Sequence, residues 1–390
     1  MSDVYGLYVG GGTIDDKLYV AKLDDKNNTF SPSTLTGTPT SGLGIRSMAV
    51  YNGELYIGGF TVTPYLAKLD NNTNTFGTNL IDKNVPFNYV YAMTVYNKKL
   101  YLGGDGVVAV YDGNNFSHDF TYPDINGNSV NSIQVMTLYN DSLYIGGTYT
   151  SKDDDGTYNL YVAKLDNDNK KFTSITFTGT PTSGNYSFTG ILSMAVYKKT
   201  LYIGGTIQDK KDKNLTITPY LAKLDNTFGK NLITDKNVPF TYIYAMIQYK
   251  DTLYLGGGTG VVPYDGKNFS PVEDVSSINS MTIYNGELYA SGDGPLPLPS
   301  IRVIKLDTNN KWISNDNGLP VEEDNFSISS MIDYHPDVLH ADTSGLRIYK
   351  KSKNLALILG LSIGLGIPVL GVIIFLMYKY IPRTNQQLSN

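Results

Sequence analysis

Ser47-Met48-Ala49-Val50-Tyr51, Asn52-Gly53-Glu54, Leu55-Tyr56-Ile57-Gly58-Gly59 and, after a short gap, Pro64-Tyr65-Leu66-Ala67-Lys68-Leu69-Asp70 form the stretch on which the reading of this chain turns. Met48, Val50, Leu55 and Ile57 alternate at a period of two, and the turn triplet between the runs makes them a hairpin. The pattern returns down the chain. Leu-Tyr pairs begin at 7, 55, 100, 143, 201, 253 and 288, and Val338-Leu339-His340 stands at the eighth place. Each unit reads as four short strands: a Ser-Met-Ala-Val-Tyr type, a Leu-Tyr-Ile-Gly-Gly type, a Tyr-Leu-Ala-Lys-Leu-Asp type and a short last strand near Phe76, Phe172, Phe228 or Trp312. Such a repeat predicts an all-β propeller of seven or eight four-stranded blades, with function in the connections rather than the strands.

The two ends of the array are incomplete. Met1 to Tyr5 stands where a leading strand of the first unit would be, and the last unit, Ser330 to Tyr349, has no fourth strand. The seam therefore closes either as eight blades or as seven with the last strands completing the first blade; this reading favours eight, within a propeller spanning 1–350. A longer duplication overlies the repeat. Thr36 to Gly42 returns as Thr178 to Gly184, Asp82 to Phe87 as Asp235 to Phe240, and Tyr111 to Ser117 as Tyr264 to Ser270, so a block of three blades is copied.

The double glycine closing each second strand, the Tyr-rich strands and the repeat length resemble the kelch-type β-propeller of the galactose oxidase class. The glycines let the chain turn and neighbouring blades approach. Kelch blades carry a Trp after the glycines, whereas this chain has Trp312 alone, so Tyr is expected to take the packing role. The copper-oxidase chemistry of that class needs a Tyr crosslinked to Cys, and the chain has no Cys.

Composition excludes more than it assigns. Asp and Glu total 36 against 31 Lys and Arg, with a pI near 5.3, so nucleic acid is not an expected partner. The absence of Cys removes disulfides, Cys-ligated zinc and thiol catalysis. Histidine occurs only as His118, His335 and His340, with no carboxylates at ligand spacing, and neither Asp153-Asp154-Asp155-Gly156 nor Asp166 to Asn169 completes a calcium loop. No metal, cofactor or catalytic grouping is expected. The glycine pairs punctuate blades rather than cradle phosphates. Asn-x-Ser/Thr sites at Asn27, Asn71, Asn115, Asn140, Asn185, Asn214, Asn268 and Asn325 suit a glycosylated surface, but a chain this rich in Asn, Ser and Thr produces several by chance.

Leu355 to Met377 is an apolar run long enough to cross a bilayer as a helix. The expected organisation is a propeller at 1–350, a basic linker at 351–354, a transmembrane helix at 355–378 and a polar tail at 379–390, with no leader before the first repeat. Gly360 and Gly364 give one Gly-x-x-x-Gly spacing that suits a helix-mediated dimer. Lys350, Lys351 and Lys353 precede the run and Lys379 and Arg383 follow it, which inclines the propeller to the cytosolic side and leaves the external side open. A viral or archaeal surface or virion protein is also compatible with the composition.

Two function classes remain: a membrane-anchored interaction protein that presents loops to a protein or glycan, and a membrane-bound propeller-type enzyme with an axial active site. The first is favoured, because Arg, at 46, 302, 347 and 383 only, is in poor supply for an anionic substrate. In an antiparallel blade the first-to-second and third-to-fourth turns share one face of the ring. These are tight, and the long connections fall on the opposite face. Binding is expected there, at Asp153, Asp154, Asp155, Lys210, Lys211 and Asp212, and at the aromatic pairs Phe87 with Tyr89 and Phe240 with Tyr242. The expected exit of the chain at Tyr349, on the tight-turn face, would turn that face to the bilayer.

Overall fold

The computed structural model describes residues 5–334 apart from 13–17, 37–43, 61–62, 82–84, 123–128, 151–157, 167, 169, 178–189, 209–216, 234–237, 271–272, 275–276, 294–302 and 320–326. The expected transmembrane helix, its flanks, His335, His340 and the proposed exit at Tyr349 lie outside these residues. Among the described residues no helix is long and apolar enough to cross a membrane.

Seven four-stranded antiparallel blades form the ring. Naming strands from first to fourth, blade 2 is Gly44–Tyr51, Glu54–Phe60, Pro64–Asp70 and Thr75–Phe76. Blade 3 is Ala92–Tyr96, Lys99–Gly103, Val108–Tyr111 and Phe116–Ser117. Blade 4 is Ser129–Tyr139, Ser142–Thr150, Tyr158–Leu165 and Phe172–Ser174. Blade 5 is Gly190–Tyr197, Thr200–Gln208, Ile217–Asp225 and Thr227–Phe228. Blade 6 is Ile243–Tyr249, Thr252–Gly257, Gly260–Tyr264 and Glu273–Asp274. Blade 7 is Ser277–Tyr284, Glu287–Asp293, Val303–Leu306 and Trp312–Ser314.

Blade 1 is built from both ends of the array. Gly6–Gly12, Leu18–Asp24 and Thr29–Pro32 are its second to fourth strands, and Ser327–Tyr334 is its first, with Gly6 opposite Tyr334 and Gly12 opposite Ser327. The first strands then touch one another in an unbroken circle, blade 1 meeting both blade 7 and blade 2. This corrects the expectation of eight blades and of a leading strand at Met1 to Tyr5. Ser327–Tyr334 reads in sequence as the start of an eighth unit, but its Ile328, Met331 and Tyr334 are buried, and its ladder pairs with the first Leu-Tyr strand instead. Because Tyr334 is level with the start of Gly6–Gly12, the described chain ends on the tight-turn face, from an inner strand.

The hairpin turns on that face hold two residues, not three: Tyr51 pairs with Glu54 around Asn52 and Gly53, whose φ values are 51° and 75°. Asn97-Lys98, Asn140-Asp141, Lys198-Lys199 and Asn285-Gly286 repeat the left-handed pair, the geometry whose twist matches the flanking strands. The third-to-fourth turns are Asx turns. Asp112 accepts the backbone N–H groups of Asn114 and Asn115 at 2.9 and 2.8 Å, and Asp265 those of Lys267 and Asn268, both at 2.7 Å. These amides hold both carboxyls below the usual Asp value. Local turn formation accounts for the Asp clustering.

Tyrosines pack in pairs within the blades. In every blade the Tyr ending the first strand meets the Tyr of the second strand at a steep ring angle, from Tyr8 with Tyr334 at 6.0 Å round to Tyr284 with Tyr289, also at 6.0 Å. The first-strand hydroxyl then reaches the next blade. Tyr96 donates to Asp141 O, Tyr139 to Lys199 O, Tyr197 to Asp251 O, Tyr249 to Gly286 O and Tyr334 to Gly53 O, at 2.8 to 3.3 Å. Blade 1 offers no hairpin at this place, and Tyr284 donates to the Asp25 carboxylate at 2.6 Å instead. Tyr197→Phe keeps the ring and removes one stitch, so a loss of about 1 kcal/mol is expected; urea unfolding of the pair of proteins measures it.

Two further features join blades. At the rim, Thr34–Leu35 leaves blade 1 to pair in parallel with the fourth strand of blade 2, and Phe30 of blade 1 donates its N–H to Asn317 O. Between blades, Gly204 faces the Ile243 and Met246 side chains of blade 6, where an added Cβ would lie 2.8 Å from Ile243 Cγ2. The first glycine of the pair thus admits the next blade's apolar side chains, which is the close approach expected of it.

Candidate functional site

Six of the seven first strands carry a bulge, opposite the double glycine in five and opposite Ser291-Gly292 in blade 7. Ile45 pairs with Gly59 and Ser47 with Gly58, leaving Arg46 without a ladder partner. The same shift leaves out Gln134, Leu192, Tyr244, Asn279 and Ser329, and Tyr91 holds the matching place just before Ala92–Tyr96. Arg46 is exposed and the other six are half-exposed, while the residue before each is buried. A bulge re-aims the side chain at its extra residue. Because the first strands are the innermost and the bulges lie near their starts, the seven residues encircle the axis at its mouth on the long-connection face. The ring contains one cation, two tyrosines and no carboxylate or histidine. Among the described residues no group of three or more His, Asp or Glu is placed to hold a metal ion.

Stacked tyrosines flank this mouth in two places. Tyr89 lies on Tyr91 at 5.2 Å with planes 5° apart, and Phe60, at the end of a blade 2 strand, covers Tyr89 at 4.1 Å. In the copied block Tyr242 lies on Tyr244 at 5.3 Å and 4°. Burial raises the Tyr91 hydroxyl pKa, and the charge and hydrogen bond of Asp105 raise it further, with Arg46 acting in the opposite direction. Asp105 also accepts the Asn88 N–H at 3.0 Å, which fixes the carboxylate beside the stack.

Of the residues singled out from sequence, Tyr89 and Tyr242 join these stacks. Phe87 and Phe240 are buried, and a Cβ on Gly104 or Gly257 would lie 2.3 and 2.4 Å from their rings, so both rings pack over the double glycines. Asp153 to Asp155 and Lys210 to Asp212 lie outside the described residues, in the connections from Thr150 to Tyr158 and from Gln208 to Ile217. Sequence reasoning did not single out Arg46, Tyr91, Tyr244, Phe60 or Asp105 as site residues. A signal was present: Ile45 and Met48 both meet the position above Gly10 although three residues apart, as do Ile191 and Met194 above Gly146. That spacing breaks the period of two and marks an extra residue between.

The sequence matches no family model and no curated protein. The structure is similar to the WD40 β-propeller domain of Doa1 (12% identity, 74% of this chain and 86% of that one, TM-score 0.45) and to U3-55K (12% identity, 72% and 84%, TM-score 0.48). It is also similar to YjhT, at 12% identity over 72% of this chain and 99% of that one, with a TM-score of 0.41.

Proposed function

We propose that the chain is a kelch-like interaction protein, held at a membrane by a helix at 355–378, that presents the long-connection face of its propeller to a protein or glycan. The observation that carries this reading is the difference between the two faces. One is closed by two-residue turns stitched by tyrosine hydroxyls. On the other, the strand ends that the long connections join stand around an axial ring of Arg46, two tyrosines and neutral side chains. Rigid scaffolds bind through such connections, which favours recognition. In this reading the tight-turn face, on which the last described residue Tyr334 lies, is held toward the bilayer, with the cytosolic side preferred by the flanking lysines.

Replacing 151–157 and 209–216 with short Gly-Ser turns is expected to abolish partner binding on intact membranes, while changing the two-residue turns Asn97-Lys98 and Lys198-Lys199 to Asn-Gly leaves it intact. Loss of binding with the lysine changes alone would reverse the assignment of faces. Retention of the chain lacking 355–390 in carbonate-washed membranes would remove the anchor.

A further inference from the structure

The copied block serves as an internal comparison for the mouth. Blades 2 and 3 align with blades 5 and 6, and the supporting structure is the same in both: Asn79 accepts from Leu66 and Ile81 N–H and donates to Pro64 O, as Asn231 does with Leu221, Ile233 and Pro219. The tyrosine stacks also superpose in kind. The copies differ in what surrounds the stacks. Arg46 corresponds to Leu192, Phe60 to Thr206 and Asp105 to Gly258. One copy carries a cation, a carboxylate and a third ring around its tyrosines; the other has a leucine, a buried threonine and a glycine.

We propose that the blade 2 and blade 3 side of the mouth is a subsite for a pyranose ring bearing a carboxylate, a narrowing that rests on the face assignment above. Arg46 makes no hydrogen bond or ion pair among the described residues, is exposed, and holds the ring position on the blade next to that of Tyr91. A guanidinium left open in this way pairs best with a planar carboxylate. Phe60 and Tyr91, the half-exposed outer rings of a stack with Tyr89 between them, offer aromatic area to the apolar face of a sugar ring. Asp105 already accepts from Asn88, and a carboxylate has lone pairs for about four hydrogen bonds, so acceptor capacity remains for ligand hydroxyls. The same Asp105 repels a run of negative charge, which disfavours acidic peptides. One carboxylate among several hydroxyls satisfies both Arg46 and Asp105.

The test titrates the full chain in detergent with 3′-sialyllactose, a glucuronate disaccharide, lactose and a penta-glutamate peptide, by calorimetry. Binding of either acidic sugar at one per chain, with lactose and the peptide at least tenfold weaker, supports the subsite, and the better acidic sugar identifies the source of the carboxylate. Arg46→Leu and Asp105→Gly install residues that the second copy already accommodates at the same places, so both variants are expected to keep the parent melting temperature. Arg46→Leu is expected to weaken the acidic sugars tenfold or more, to the lactose level, and Asp105→Gly to weaken every sugar. Building Leu192→Arg, Thr206→Phe and Gly258→Asp together is expected to raise the stoichiometry toward two. Equal binding of lactose and acidic sugars, no effect of Arg46→Leu, peptide binding as tight as sugar binding, or no sugar binding would each overturn the proposal. If the connection replacements still abolish partner binding in those cases, the face assignment stands and only the subsite falls.

Discussion

Removing residues 327–390 abolishes cooperative folding, whereas removing 337–390 leaves a folded ring. The first strand of blade 1 supplies Ile328, Met331 and Tyr334, all buried, and Tyr334 adds a hydrogen bond to Gly53 O at 2.9 Å and one to Asn71 at 3.1 Å. Three such side chains at about 1.5–3 kcal/mol each come close to the whole stability of a domain, about 5–15 kcal/mol. Without them, both Gly6–Gly12 and the inner strand of blade 7 face solvent along apolar surfaces. Urea unfolding followed by tyrosine fluorescence separates the two truncations: a single steep transition is expected for the longer chain, and none, or a broad drift, for the shorter. A steep transition of equal midpoint in both would mean that the ring closes without this strand.

Gly205→Ala destabilises by about 3 kcal/mol or more, and Gly229→Ala is neutral or slightly stabilising. A Cβ on Gly205 would lie 2.0 Å from the Gly190 carbonyl oxygen, across the bulge of its own blade, and backbone cannot move aside as a side-chain tip can. Overpacking of this kind costs about 1–3 kcal/mol in ordinary cores, and here the first strand must also shift away from blade 6. Gly229, in contrast, has nothing within 4 Å of its Cβ position and no left-handed φ, so Ala there only reduces the freedom of the unfolded chain, worth about 0.4–1 kcal/mol. Melting temperatures of the two variants and the parent, measured side by side, check both signs.

The blade was legible because its information is local. A tight turn, a period of two and a double glycine all fall within the stretch from Ser47 to Asp70, and the structure returns the period and the glycines while shortening the turn triplet to Asn52 and Gly53. The blade count was not legible, since Ser327–Tyr334 has the residues of any first strand, and nothing in its own sequence says whether its partner follows it or lies at the other end of the chain. The mouth was legible only in part. Tyr89 and Tyr242 stood out as aromatics in a long connection, but Phe87 and Phe240 carry the same local signature and are buried, a distinction set by the glycines they cover in another strand. Arg46 and Asp105 both act on the Tyr91 hydroxyl from different places in the sequence, a relation that no short stretch encodes. The internal copy made the divergence at Leu192 and Gly258 readable only after the structure showed which residues meet.

Ring closure is tested most directly by a disulfide, because the chain has no native cysteine to compete. Gly12→Cys with Ser327→Cys places two thiols on residues that face each other across the seam, at the Cα separation of antiparallel neighbours, about 4.5–5.5 Å, which a disulfide spans. A seven-bladed ring closed by Ser327–Tyr334 predicts that mild oxidation crosslinks the doubly substituted protein fully, seen as loss of both free thiols by mass and as faster migration on a non-reducing gel. Two thiols that stay free in the folded, oxidised protein would contradict the closure.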